Sequence, residues 1–259
     1  MRDALKDQVI IVFGATGRVG TGVCSCLAEQ GAVVLVHYHS NRTRAEQIVR
    51  DIEASGGRAQ AIQADVTDQA AVRGCLARAA ERWGRIDGVV NQIHRDKEFE
   101  PVRAAEMEWA NWESHIEAMK AHFLICKEVV PYMRRQRYGR IVYVSGGLSF
   151  RFFEGCSPFS AAKAGMNAFC KTLALEEGKN GITVNVIAPG KITQHDGGAG
   201  EPQTPWQELE RRQLENNPVG RFCTPRDVAN AAMVFLLPES GYLTGQTLFL
   251  AGGEIMPMP

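Results

Sequence analysis

The sequence predicts a doubly wound α/β domain, a parallel sheet with helices on both faces. Three observations carry that expectation. Seven short runs rich in Val and Ile recur along the chain with little polar alternation, as strands covered on both faces require. Amphipathic segments of helical period separate them, and such a βαβ rhythm implies right-handed parallel crossovers. At 259 residues the chain is long enough for one large core, and no internal repeat or low-complexity block divides it. Residues 1–259 are therefore read as a single domain.

Taken in order, strands are expected at 9–13, 33–36, 59–64, 86–90, 141–145, 183–188 and 247–250. Helices are expected between them at about 17–30, 42–55, 69–83, 108–137, 158–179 and 225–236. The one long irregular stretch, 191–205, contains Asp196-Gly197-Gly198-Ala199-Gly200-Glu201-Pro202 and leads into a short helix at about 205–217. A Gly/Pro-rich segment after the carboxyl end of a strand is a candidate substrate lid, here 191–217. A surface loop without a role is the competing reading.

Charge and composition exclude several function classes. The 29 basic and 29 acidic residues cancel, so bulk charge suggests no nucleic-acid or membrane-surface partner. The run Arg134-Arg135-Gln136-Arg137 reads as a solvated helix end. Met1 to Gln8 is mixed in charge and the apolar run Val9 to Phe13 is too short for a signal segment. No stretch has the length of a membrane span. A cytoplasmic location is expected. The seven cysteines (Cys24, Cys26, Cys75, Cys126, Cys156, Cys170 and Cys223) are odd in number and scattered, which argues for reduced, mostly buried thiols. Cys24 and Cys26 diverge on a helix and lack a second pair, so no metal is expected.

The clearest ligand signal is Gly14-Ala15-Thr16-Gly17-Arg18-Val19-Gly20, directly after the first strand and opening a helix. Glycines there permit a tight turn and close approach of a pyrophosphate, whose charge meets the helix N-terminus. At the end of the second strand, Val36-His37-Tyr38-His39-Ser40-Asn41-Arg42 offers no carboxylate for a ribose 2′-hydroxyl. Ser40, Asn41 and Arg42, with Arg18 from the glycine turn, suit a 2′-phosphate, which favours NADP(H) over NAD(H). For Arg42 the alternative is a plain surface arginine at a helix start.

Together with further stretches, this chain resembles the short-chain dehydrogenase/reductase family over about residues 7–254. The resemblance rests on the glycine turn; on Asp65-Val66 after the third strand and Asn91 after the fourth; on Gly139-Arg140-Ile141-Val142; on Lys163-Ala164-Gly165; on Val184-Asn185-Val186-Ile187-Ala188-Pro189-Gly190; and on Pro218-Val219-Gly220-Arg221, Thr244-Gly245-Gln246 and Gly252-Gly253. It implies a single Rossmann-type domain with a seven-stranded parallel sheet. It implies dimers or tetramers built on the two long helices, and hydride transfer between NAD(P) and a small-molecule carbonyl or alcohol. By the same resemblance Gly14, Thr16, Gly17, Arg18, Val19, Gly20, Asp65, Val66, Asn91, Lys163, Pro189, Gly190 and Ile192 would hold the cofactor.

Of the four residues that serve the family's reaction, Asn, Ser, Tyr and Lys, this chain keeps only Lys163. The tyrosine position holds Phe159, in Ser157-Pro158-Phe159-Ser160-Ala161-Ala162-Lys163. The serine position, thirteen residues upstream, holds Gly146. Ser145 precedes it, and strand alternation would turn its side chain to the other face. The asparagine position falls on Ala118, and its neighbours Met119 and Lys120 are not asparagine either. Where the family has Asn-Asn-Ala-Gly, this chain has Asn91-Gln92-Ile93-His94, a bulkier pair beside the expected nicotinamide. The glycine turn is spaced as in the family's extended branch, with Arg18 at a position the short branch gives to glycine.

These departures weaken the ordinary mechanism. Losing an oxyanion donor costs about 10²–10³ in rate, and losing a general acid roughly 10²–10⁴. His94 is the best replacement acid on residue type, since imidazole titrates near neutrality. His122, Ser149, Cys156 and Ser157 are further candidates. Their bland readings are an exposed loop (His94), subunit packing (His122) and a helix cap (Ser157). Phe150-Arg151-Phe152-Phe153, Phe159 and Trp206 suggest an apolar or aromatic substrate pocket, or else ordinary packing. Three functions stay open: an atypical NADP(H)-dependent oxidoreductase, a non-redox isomerase, lyase or cyclase, and a catalytically silent cofactor-binding subunit.

Overall fold

In the computed structural model, residues 3–94, 101–193 and 205–256 are described, with only the backbone described at 205, 206 and 209. Seven strands form one all-parallel sheet: β1 Val9–Phe13, β2 Val33–Tyr38, β3 Arg58–Gln63, β4 Gly88–Asn91, β5 Gly139–Val144, β6 Ile182–Pro189 and β7 Thr247–Leu250. Their order is β3-β2-β1-β4-β5-β6-β7. Among the described residues seven α-helices accompany them: α1 Gly20–Glu29, α2 Arg42–Ala54, α3 Gln69–Trp83, α4 Trp109–Gln136, α5 Ser157–Glu177, α6 Pro205–Glu215 and α7 Pro225–Leu236.

The alternation inside a single strand shows why the sheet is covered twice. Val9, Ile11 and Phe13 of β1 face one core, packed with Val72 and Leu76 of α3, Ile125 of α4 and Met166 of α5. Ile10 and Val12 face the other, packed with Val23 and Leu27 of α1, Ile48 of α2 and Val228 of α7. Every residue of β1 is buried, so its run carries no polar face to read.

Several boundaries differ from the sequence expectation. Helix α1 starts at Gly20 rather than Gly17, because Gly14 takes φ +78° and the turn through Val19 stays outside the helix. Strand β5 stops at Val144, one residue before the expected end. Helix α5 begins at Ser157, not at Pro158. Helix α7 starts as expected, fixed by a reciprocal cap in which Thr224 and Asp227 each accept from the other's backbone.

One charge pair ties the two long helices. Glu177 of α5 is 1% exposed and accepts from the Arg134 guanidinium of α4, which holds its carboxyl below the usual range. We expect Arg134→Met to leave a buried carboxylate without its counter-charge, held only by the Asn180 amide at 3.0 Å, and to cost about 2–3 kcal/mol. Because protonated Glu177 needs no partner, the loss measured by urea unfolding should shrink as pH falls below about 4. A pH-independent loss would count against the pair.

None of the seven cysteines is paired, and all but Cys223 are buried. Burial pushes the Cys75 thiol up to about 11 and that of Cys126 to about 12, which keeps them protonated and unreactive.

Candidate active site

Strand order reverses direction between β1 and β4, and a crevice opens where their carboxyl ends diverge. Gly14 leaves β1 there and Gln92 follows β4, and a Cβ built on Gly14 would lie 3.4 Å from Gln92. From this point a cavity of about 900 Å³ extends along the sheet edge. Its walls include Gly14, Thr16, Gly17, Arg18, Val19 and Gly20, then Pro189, Gly190 and Ile192, then Gly146, Phe159, Lys163 and His94. The sequence-predicted glycine turn, the end of β6 and the residues Gly146, Phe159, Lys163 and His94 thus share one space.

The glycine turn is braced from beneath by His37, to which its sequence context assigns no role. His37 is 2% exposed. Its Nε2–H donates to the Ala64 carbonyl at 3.1 Å, and its Nδ1 accepts from the Gly14 N–H at 3.4 Å. Burial lowers its pKa to about 4, so it stands neutral in both bonds. The signal was a histidine directly after the apolar run Val33–Val36, where burial demands a partner.

Lys163 lies on the first turns of α5, 6% exposed, and its Nζ donates to the Val144 carbonyl at 3.1 Å. The ammonium sits 4.9 Å from the Tyr143 ring centroid and 5.7 Å from that of Phe159. One turn before it, Phe159 points its ring at Gly146. A Cβ at position 146 would lie 3.0 Å from two carbons of that ring. The ring therefore fills space that a side chain at 146 would need. The Phe159 ring also meets His94 edge-on at 5.0 Å and His115 at 6.0 Å, with His94 and His115 5.4 Å apart. His115, 5% exposed on α4, was missed because nothing local marks it. Only the packing of α4 on α5 brings it to Phe159.

Other expectations are corrected. Asn91 does not line the cavity. It is 1% exposed, donates to His122 Nδ1 at 2.6 Å and accepts from the Ile93 N–H at 3.0 Å. Gln92, one residue on, lies on the cavity wall instead. Both polar atoms of its amide are buried without a hydrogen-bond partner. Ile93 packs against the core and does not narrow the cavity. His122 is no acid for the site. It is 1% exposed, stacked near Tyr143, and burial lowers its pKa to about 3.

Ala118 on α4 is away from the cavity wall. Val66 is buried in the core, and Asp65 accepts from the N–H and hydroxyl of Thr67 at 2.9 and 2.7 Å. Ser40, Asn41 and Arg42 lie exposed beyond β2 and outside the cavity wall. The Asn41 side chain caps α2 by accepting from the Arg44 N–H, and Arg42 pairs with Glu46 at 2.7 Å.

Of the replacement hydroxyls and thiols, Ser149 is committed. It donates to the Gly146 carbonyl at 2.7 Å and accepts from Asn167 at 3.0 Å. Cys156 is buried, and Ser157 caps nothing, its Oγ buried without a partner. Ser145 falls past the end of β5, so strand alternation does not govern it, and it contributes to the cavity wall. Its Oγ is buried without a partner.

On the outer side, Lys191 pairs with Glu210 of α6, and Gln213 of that helix lines the cavity. The loop 194–204 and the Trp206 side chain, part of the expected lid and pocket, lie outside the described residues. Phe153 and Phe159 line the cavity, whereas Phe150 packs on Phe249 at 4.5 Å and Phe152 is exposed. Among the described residues no cluster suited to a metal ion occurs, and no helix is long and apolar enough to cross a membrane.

A family model described as enoyl-(acyl carrier protein) reductase matches residues 14–254, a span that takes in the glycine turn, Lys163 and the whole sheet edge. The chain belongs to the short-chain dehydrogenase/reductase family. It is 31% identical over 257 residues to the (2S)-[(R)-hydroxy(phenyl)methyl]succinyl-CoA dehydrogenase subunit BbsD of Thauera aromatica, covering 96% of this chain and 97% of that protein. It is 32% identical over 251 residues to the 3-oxoacyl-[acyl-carrier-protein] reductase FabG of Staphylococcus epidermidis strain RP62A, covering 96% and 100%. A 3-oxoacyl-[acyl-carrier-protein] reductase of Synechocystis is 32% identical over 257 residues, covering 98% and 99%.

Short-chain dehydrogenase/reductases work with a nicotinamide dinucleotide, and the residues present fit one. The glycine turn leaves the space a Cβ would fill. The Gln92 amide is a buried polar group in want of a partner. Lys163 supplies the cation at the same wall.

Proposed function

We propose that this short-chain dehydrogenase/reductase is an NADP(H)-binding oxidoreductase that acts on a small, largely apolar or aromatic substrate with a non-standard proton donor. The observation that carries this reading is the continuity of the cavity from the glycine turn to Lys163, Phe159 and His94. Gly14, Thr16, Gly17 and Gly20 would hold the pyrophosphate, Gln92 and Lys163 the riboses, and Pro189, Gly190 and Ile192 the nicotinamide end. When bound, the nicotinamide supplies or accepts a hydride.

This chain's own groups set what accompanies that transfer. Phe159 and Gly146 offer no hydroxyl to a developing alkoxide, so a substrate whose reduction builds less oxyanion charge than a ketone's suits the site better, such as an activated C=C or an imine. His94 is an imidazole on the wall beside Phe159, placed to donate or accept the proton that the family's tyrosine would handle. Lys163 keeps positive charge at this wall. The preference for NADP(H) rests on the carboxylate-free end of β2 and on Arg18 and Arg42. A cytoplasmic homodimer or homotetramer completes the reading, supported by Ile116 and Phe123 of α4 and Leu175 of α5, which are large, apolar and exposed.

The packing of Phe159 against Gly146 also favours a second reading, a non-redox enzyme or a catalytically silent cofactor-binding subunit. Fluorescence titration with NADPH and NADH separates them in part. We expect NADPH to bind at least about tenfold more tightly than NADH, and Arg42→Ala to remove most of that margin. No NADPH binding at millimolar cofactor would end the oxidoreductase reading. A following substrate panel, read at the absorbance of reduced cofactor, should show turnover that His94→Gln lowers by about 10² or more.

A further inference from the structure

We propose that Arg151 is the receptor for a carboxylate on the substrate. It would give the largely apolar pocket one fixed polar anchor, and it rests on the reading of this cavity as the substrate site.

Arg151 follows the short 3₁₀ turn Gly147–Ser149 after β5, its N–H bonded to the Gly147 carbonyl at 2.9 Å. Its guanidinium pairs through Nη1 with Oε1 of Glu254. Glu254 comes from the far end of the chain. Gly252 and Gly253, at φ +60° and +87°, turn the segment after β7 back over the cavity. A Cβ at Gly147 would lie 2.8 Å from Ile255 Cδ1, so that segment rests on the same turn that carries Arg151. Arg151, Phe153, Glu254 and Ile255 all line the cavity.

The state of the two charges decides what the pair is for. The Glu254 side chain is 5% exposed, whereas that of Arg151 is 38% exposed. The carboxylate is thus the more enclosed of the two and fixes the guanidinium at the cavity wall. The Phe153 ring lies 5.2 Å from the Arg151 Cζ and supports it from the side. Only Nη1 is used. The fork made by Nε and Nη2 has no hydrogen-bond partner among the described residues. A guanidinium fixed by an enclosed acid and an aromatic ring, with a free two-donor edge at a cavity, matches the bidentate geometry of a carboxylate. A purely structural ion pair would need neither the free fork nor a place on the cavity wall.

Surrounding groups are consistent with that ligand. Leu148, Phe153, Phe159 and Ile255 supply apolar contact on the same wall. Of the other cations there, Lys191 is paired with Glu210 and Lys163 is held by the Val144 carbonyl. Arg18 belongs to the glycine turn and its phosphates. Arg151 is the cation left for the substrate.

The test uses the full chain and a series of phenylalkanoates with one to four methylenes, each paired with its uncharged carboxamide. Affinities are read by calorimetry, with and without NADPH. We expect at least one acid to bind about tenfold or more tightly than its amide. Arg151→Met should bring that ratio to near one while the amide's affinity stays within about twofold. Arg151→Lys should recover part of the preference, since a point charge replaces the fork. If no acid of the series exceeds its amide, or if Arg151→Met keeps the ratio, the proposal is wrong. Failure of NADPH to bind would be seen separately and would overturn the cofactor reading alone, because the acid and amide titrations stand without it.

Discussion

Replacing Gly20 by alanine is expected to abolish measurable NADPH binding and to lower the unfolding free energy by about 2–3 kcal/mol. A Cβ there would stand 2.4 Å from the Ala15 carbonyl oxygen and 2.5 Å from its Cα and carbonyl carbon. These are backbone atoms of the glycine turn, so no side-chain rotation relieves the overlap. Either α1 backs away from β1 or the turn deforms, and both displace the N–H groups that would meet a pyrophosphate. Gly17 makes the contrast. Its Cβ would approach only the Gly14 carbonyl oxygen, at 3.2 Å, so Gly17→Ala should keep the fold and weaken NADPH by a smaller factor. Denaturant unfolding and cofactor fluorescence on the two variants check the ranking. Equal binding by Gly20→Ala and the parent protein would refute it.

The second large effect is a loss of stability on mild acidification, on the order of 2–4 kcal/mol between pH 7 and pH 5. Burial lowers the pKa of His37 to about 4 and that of His122 to about 3. The folded state therefore keeps both neutral at pH values where the unfolded chain, titrating near 6.5, takes up two protons. Stability rises with pH wherever the unfolded state binds more protons. These contributions are accordingly complete above about pH 7 and fall away below 6.5, continuing down to the folded values.

Hydrogen bonding supports the sign. His122 Nδ1 faces a donor, the Asn91 amide, and His37 Nδ1 faces the Gly14 N–H. A proton on either nitrogen would meet another proton. Carboxylates held low by arginine, such as Glu177 and Asp227, lose their contribution only at lower pH and leave this window clear. Urea midpoints between pH 7 and 5 should slope steeply, and His37→Gln or His122→Gln should each remove about half of the slope. A flat profile would show that the two imidazoles are accessible to protons in the folded state. Because His37 braces Gly14, NADPH affinity should weaken as His37 protonates.

The sequence was most legible where chemistry and geometry are local. Uninterrupted Val/Ile runs such as Val9–Phe13 declared buried parallel strands, because a strand covered on both faces has no polar side to interrupt it. The glycine turn declared the break between first strand and first helix, since its position between them is itself a sequence property. Fixed offsets from Lys163 revealed Phe159 and Gly146 as positions without hydroxyls. Less legible were positions where a residue's neighbours come from elsewhere in the chain. Asn91 read as a cofactor contact, but its amide is taken by His122, thirty-one residues away. Ser149 read as an available hydroxyl, but the Gly146 carbonyl and Asn167 hold it.

Sequence alone therefore determined the class of fold and the family, and it set the residue types at the glycine turn, Gly146, Phe159 and Lys163, since each is carried at short spacing. Tertiary structure alone decided what surrounds those positions. The Phe159 ring against Gly146, His115 beside His94 and the Arg151–Glu254 pair each join separate segments. Their contacts arise when α4 docks on α5 and the chain's last turn folds back over the sheet edge. Burial and hydrogen-bond partnership are properties of that packing, and no local spacing encodes them.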